Sequence, residues 1–209
     1  YCLGNPIRFI DPNGDSIRIN TMNEGVLTYS HTKNGGYSFY NKDGSIYSGD
    51  DKFVKSTSKA IARLRIGEKG RKTVDYLISR EEDIFIGQGK NGFLPDSKTV
   101  GFNLNPKKGV PTEAGIVISP LYISLGHELA HAEDFLWGSI NMMNKTWNGY
   151  REGEKFATHR ENQFRGENGL PLRTHYGVIE INGKQSPDSF SKIINSDGSS
   201  IFYPGTKYR

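Results

Sequence analysis

The run His127-Glu128-Leu129-Ala130-His131 constrains this chain more than any other feature. It carries chemistry only on a helix, where residues i and i+4 lie one above the other. Two imidazoles placed that way can share one metal ion. Glu128, next in the chain, can then reach a water at an open coordination position as general base. The surrounding residues read as a helix over about 121–137, opened by Pro120, which suits a first helical turn. Ile123, Leu125, Leu129, Ala130 and Ala132 give it an apolar face, and the apolar run Gly115–Ile118 leads into it as a strand. That context favours a metal centre over two histidines that are merely satisfied in a core or at a surface.

A catalytic zinc needs a third protein ligand. In metzincins it is a His six residues after the second His. Here that position is Trp137, with Asp134 where the Gly would stand, so that class is excluded. Glu133 is a second departure, because many zinc peptidases carry an apolar residue there. The remaining common source is a Glu on the next helix, where Glu152, Glu154 and Glu161 are the candidates. Glu154 is the expected ligand, since Ala157 one turn on lets the two helices approach closely. Glu161, on the same face two turns later, is a supporting carboxylate or the alternative ligand, and Glu152 lies off that face. Further on, Arg173 and Tyr176 are three residues apart and can point to one place, where either could donate to the oxyanion formed during attack on a carbonyl. In the other reading Arg173 pairs with Glu161 or Glu167 and Tyr176 packs.

The rest of the chain supports a domain of α+β class. Strands are expected at Ser16–Asn20, Val26–His31 and Tyr37–Tyr40, punctuated by the turn formers Asn34-Gly35-Gly36 and Lys42-Asp43-Gly44. Phe53, Val54, Ile61 and Leu64 predict a helix, which Gly67 and Gly70 break. Val74, Leu77 and Ile78 predict a second, starting near Arg71 or Lys72. Then come strands at Asp83–Gln88 and Thr99–Leu104, with a loop at Lys90–Ser97 between them. A charged helix follows over about 149–166, and the tail, 177–209, reads as short strands and turns. The 27 Lys+Arg against 23 Asp+Glu give a net charge of +4, spread along the chain as on a solvated surface, so no nucleic-acid partner is expected. Lone Cys2 excludes an intrachain disulfide. No stretch reaches the ~18–20 apolar residues of a membrane span.

Two stretches resemble known families. Residues 1–15, with Asn5-Pro6 and Asp11-Pro12-Asn13-Gly14, resemble the last segment of the RHS/YD-repeat core, a β-shell that encloses a variable C-terminal toxin. The self-cleaving form continues with Leu, where this chain has Asp15. A start at Tyr1 accords with the C-terminal piece of something longer. Residues of about 50–177 resemble the NleD-like zinc peptidases of secreted effectors: the helix pair near Phe53–Leu77, His127–Ala132, Glu154-x-x-Ala157-x-x-x-Glu161-Asn162-x-x-Arg165, and Gly169-Leu170-Pro171-Leu172-Arg173-x-x-Tyr176. The Arg173-x-x-Tyr176 pair is also similar to the RxxY of clostridial neurotoxin proteases, where it stabilises the transition state.

The resemblance implies a zincin-like, gluzincin-type domain over 26–209 behind a β-rich arm, with 1–25 as the remnant of the shell and a linker. It implies a catalytic Zn²⁺ at His127 and His131, with Glu128, Arg173 and Tyr176 as the catalytic groups; it does not decide the third ligand, for which the spacing favours Glu154 over Glu161. The expected activity is an endopeptidase toxin, secreted or delivered into a target cell, where it cleaves a protein. Its expected partners are that substrate, the RHS shell of the parent chain and a cognate immunity protein. The alternative is a non-catalytic zinc or protein-binding module that acts through such a partner. A zinc hydrolase of non-peptide amides shares the same ligands.

Overall fold

A computed structural model describes residues 17–21, 25–32, 34–138 and 145–209. The segment that resembles the shell terminus, residues 1–15, lies outside the described residues. So does 139–144, part of the expected loop after the His-bearing helix.

Three antiparallel strands come first: β1 (Ile17–Thr21), β2 (Gly25–His31) and β3 (Tyr37–Tyr40). Ile17, Ile19, Leu27, Tyr29 and Phe39 point into the core in the period-two rhythm of a sheet with one buried face. Helix α1 (Lys52–Leu64) starts where Asp51 accepts from the amides of Phe53 and Val54, at 2.7 and 3.0 Å. Helix α2 (Glu68–Ile78) follows. Together they carry the chain across, so that β4 (Ile84–Gln88) lies parallel to β1. Strand β5 (Gly92–Leu94) and β6 (Thr99–Phe102) complete a six-stranded sheet of order β3-β2-β1-β4-β6-β5, with β5 an edge strand antiparallel to β6.

Beyond the sheet, β7 (Val110–Thr112) and β8 (Gly115–Val117) form a two-stranded ribbon. Helix α3 (Leu121–Leu136) carries the histidine motif. A short hairpin, β9 (Thr146–Trp147) and β10 (Tyr150–Arg151), leads to helix α4 (Glu154–Glu167). The tail holds a second hairpin, β11 (Val178–Ile181) and β12 (Lys184–Pro187), and a 3-10 turn at Ser189–Ser191. The architecture is α+β. One core joins the sheet to all four helices, with Ile123, Leu125, Leu129 and Ala132 of α3 and Phe164 of α4 at its centre. Gly126 makes the α3–α4 contact possible, since a Cβ there would lie 2.9 Å from the Phe164 ring. Among the described residues no helix is long and apolar enough to cross a membrane.

Several expectations change. Strand β1 falls inside the 1–25 segment, yet it joins β2 to β4 in mid-sheet with Ile17 and Ile19 fully buried. Residues 17–21 therefore belong to the folded core. Gly70 does not break a helix but sits inside α2, because the Leu64 carbonyl fills the space a Cβ would need, 2.1 Å away. The Gly115–Ile118 run does form a strand before α3, β8, but it pairs with β7 in a ribbon outside the main sheet, and Ile118 is exposed. Helix α4 begins at Glu154 rather than near Gly149, since Tyr150 and Arg151 are spent on β10. Strand β5 lies within the expected Lys90–Ser97 loop.

Candidate active site

The site is built where α3 and α4 pack face to face. His127 and His131 are one turn apart on α3, with ring centroids 5.0 Å apart and nearly perpendicular. Both turn Nε2 towards Glu154 Oε2, at 3.2 and 3.1 Å. Glu154 is the first residue of α4, after Gly153, whose α-carbon a Cβ could extend to within 3.8 Å of His131 Nδ1 and Asp134 Oδ2. One donor atom from each of His127, His131 and Glu154 lies within 4.8 Å of the others, so the three could hold a metal ion. Two imidazole nitrogens and a carboxylate oxygen fit a borderline-soft divalent cation.

Glu161, two turns along α4, meets His127 from the other side. Its Oε2 accepts from His127 Nδ1 at 3.1 Å and from Arg173 Nη1 at 2.7 Å, while Oε1 accepts from Arg165 Nε at 2.8 Å. Burial would raise the Glu161 pKa, but Arg173 and Arg165 outweigh it and hold the carboxyl well below its usual range. Burial likewise works against Glu154, and the hydrogen bonds from His127 and His131 overcome it, so Glu154 also stays ionised. For His127, burial alone would lower the pKa. Hydrogen bonds to Glu154 and Glu161 instead push it up to about 10. A proton and a metal ion thus compete for the same nitrogen.

Glu128 is 7% exposed, and burial pushes its carboxyl up. It lines both a cleft of about 460 Å³ and a smaller adjoining pocket of about 190 Å³. His127 and Tyr176 line both as well. The cleft is walled by β5, by Gly149–Arg151 of the β9–β10 hairpin, and by Asp134 and Phe135 of α3. Tyr176 places its hydroxyl against the Glu154 carboxylate, and burial, followed by that charge, raises its pKa. Arg173 takes the partner foreseen in the second of its two readings. Its Nη1 donates to Glu161, its Nε to the His175 carbonyl (3.2 Å) and its Nη2 to the Tyr176 carbonyl (2.7 Å).

The structure thus gathers every candidate from the sequence except Glu152, which instead bonds Lys155 at 2.6 Å. It adds residues that local reading missed. Asn162 pins the Arg173 backbone in both directions, at 2.9 and 2.7 Å. Arg165 ties Glu161 to the Pro171 carbonyl and Ser119, and the i,i+4 spacing from Glu161 was its signal. Glu133 has its explanation too: at 2% exposure it accepts from Thr73 of α2 (2.9 Å) and from Arg160 of α4, tying three helices together.

Comparison with known proteins fits this geometry. A family model described as Peptidase_M91, effector protein, matches residues 41–176, about two thirds of the chain. The chain belongs to this family of peptidase effectors. Neither a curated protein nor a solved structure matches it.

Proposed function

We propose that this chain is a zinc-dependent endopeptidase effector that cleaves a protein inside a target cell. The double use of the His127 ring carries the reading. Nε2 faces Glu154 beside His131 Nε2, while Nδ1 is held by Glu161. A carboxylate on the far nitrogen fixes the tautomer and direction of a metal-binding imidazole and raises its basicity. His127, His131 and Glu154 would hold the zinc, which when bound would supply Lewis acidity at the cleft.

The remaining work falls to the chain. Glu128 takes the proton of the attacking water and passes it to the leaving amine. Tyr176 donates its hydroxyl to the oxyanion. Arg173, whose bonds go to Glu161 and two carbonyls, enters as the anchor of Glu161 and of the Tyr176 backbone rather than as a direct donor. Strand β5 ends the sheet beside the cleft, so its outer edge offers backbone groups to an extended peptide. That edge, the motif helix and the following Glu together support a zincin-like assignment. Effector membership and the resemblance at 1–15 support delivery as the cargo of an RHS shell, with a cognate immunity protein as a further partner.

The test is Glu128→Gln, which keeps the shape and removes the base. Purified, it should keep one zinc per chain and its thermal midpoint. In target cells the new N-termini generated by the wild type should fall by ~10²–10⁴-fold in rate, and toxicity should go with them. A variant that stays toxic while cleaving nothing would mean that the chain acts by binding alone.

A further inference from the structure

Tyr176 lies at the end of the family-matched segment, and what holds its ring comes partly from beyond it. The Arg173 guanidinium carbon is 4.9 Å from the ring centroid. The Tyr150 ring meets it edge-on, with centroids also 4.9 Å apart and planes at 76°. Tyr150 is in turn tethered at its tip, where its hydroxyl donates to Asp188 Oδ2 at 2.6 Å. The backbone locks the same pieces together. Tyr176 N donates to the Ser191 carbonyl at 2.8 Å, Gly177 N to Ser191 Oγ at 2.9 Å, and Asp188 N to the Gly177 carbonyl at 3.0 Å. Gly177 leaves room for the phenol, since a Cβ there would fall 2.0 Å from Tyr150 Oη. Tyr150 also lines the cleft; Asp188 does not.

We propose that Tyr150 and Asp188 form a latch that positions the Tyr176 ring, so that the segment after the matched region completes the catalytic site. The proposal rests on the reading of Tyr176 as an oxyanion donor. A tyrosine on two rotatable bonds sweeps its hydroxyl through several ångströms, and a misplacement of about 1 Å at a reacting centre can lower a rate ~100-fold. Arg173 limits the ring on one contact and Tyr150 on another. Asp188 keeps Tyr150 from swinging towards the open cleft. Both latch residues are positioning residues, and neither takes part in the chemistry.

The experiment uses the full chain with ¹³C-labelled tyrosine rings, together with the release of wild-type-specific N-termini from a target-cell lysate. Asp188→Ala and Tyr150→Phe should each shift the Tyr176 ring signals and leave those of Tyr29, buried in the sheet core, in place. Each should slow cleavage by about 10-fold, and neither should slow a Tyr176→Phe chain further, because the latch acts only through that hydroxyl. Asp188→Asn keeps an acceptor oxygen and should restore most of the rate. Unmoved Tyr176 signals in Asp188→Ala overturn the latch, as does an equal loss of rate in both backgrounds. A Tyr176→Phe chain that cleaves as fast as wild type sinks the donor role instead, and the ring signals then decide the positioning alone.

Discussion

Two glutamates on α4 meet the same imidazole at opposite nitrogens, and their surroundings part them. The Glu154 side chain, 12% exposed, opens to the cleft and faces two imidazoles and the Tyr176 hydroxyl, none of which carries a permanent charge. The Glu161 side chain, 3% exposed, is sealed between two guanidiniums that never lose their charge. One carboxylate therefore has partners that can be exchanged, and the other is fixed. Residue type and helical spacing are shared, so burial and counter-ions separate the proposed ligand from the proposed brace.

The widest gap between the two should appear in metal affinity. Apparent binding energies of ~10–16 kcal/mol for structural zinc, shared among the ligands, allot roughly 3 kcal/mol to each. Glu154→Ala should then weaken zinc binding by more than about 100-fold. Loss of a brace such as Glu161 should weaken it only ~10–100-fold. Titration against a chromophoric chelator ranks the two, and a reversed order would move the ligand role to Glu161.

Stability without metal should invert that ranking. Glu161→Ala leaves Arg165 and Arg173 buried without their carboxylate, a change of the kind that costs about 3–5 kcal/mol. Glu154→Ala strands no permanent charge, since its partners are imidazoles and a phenol, so it should cost less. Denaturant melts in the presence of chelator compare them directly. Equal losses would erase the distinction between exchangeable and fixed partners.

A smaller effect sharpens the contrast from the far side of the same helix. Among the described residues no carboxylate pairs with His159. Its Nδ1 pairs with the Tyr208 hydroxyl at 2.9 Å, and its ring stacks on Tyr203 with centroids 4.1 Å apart. Burial, followed by the charge of Arg160, lowers its pKa to about 4. The folded chain thus prefers the neutral ring. The stability this lends is present above the ordinary value near 6.5 and is lost as pH falls from there towards 4. His159→Phe should flatten the fall of thermal midpoint over that window. An unchanged slope would place the acid sensitivity elsewhere.

Features with a local period were legible in advance. Helices α1 and α3 and strands β2, β3, β4 and β6 announce themselves by apolar spacing, and the HExxH pair by its four-residue interval. Ala157 is fully buried, as a small residue facing a packed neighbour should be. Strand β5 escaped because three residues carry no rhythm, and only pairing with β6 makes them a strand. Gly70 misled because a glycine reads as a breaker until the Leu64 carbonyl that occupies its missing side chain is in view.

By itself, the sequence determined that two imidazoles would share one helical face with a glutamate beside the first, and that a small residue, Ala157, would follow Glu154 by one turn on the next helix. Those are consequences of 3.6 residues per turn and side-chain size, which act over a few positions. Only the tertiary structure decided which nitrogen each glutamate meets, that Arg173 gives its Nη1 to Glu161, and that Asp188 reaches Tyr150. Each of those depends on charges brought together from separate elements and on how deeply packing removes them from water, and neither quantity is set by neighbours in the chain.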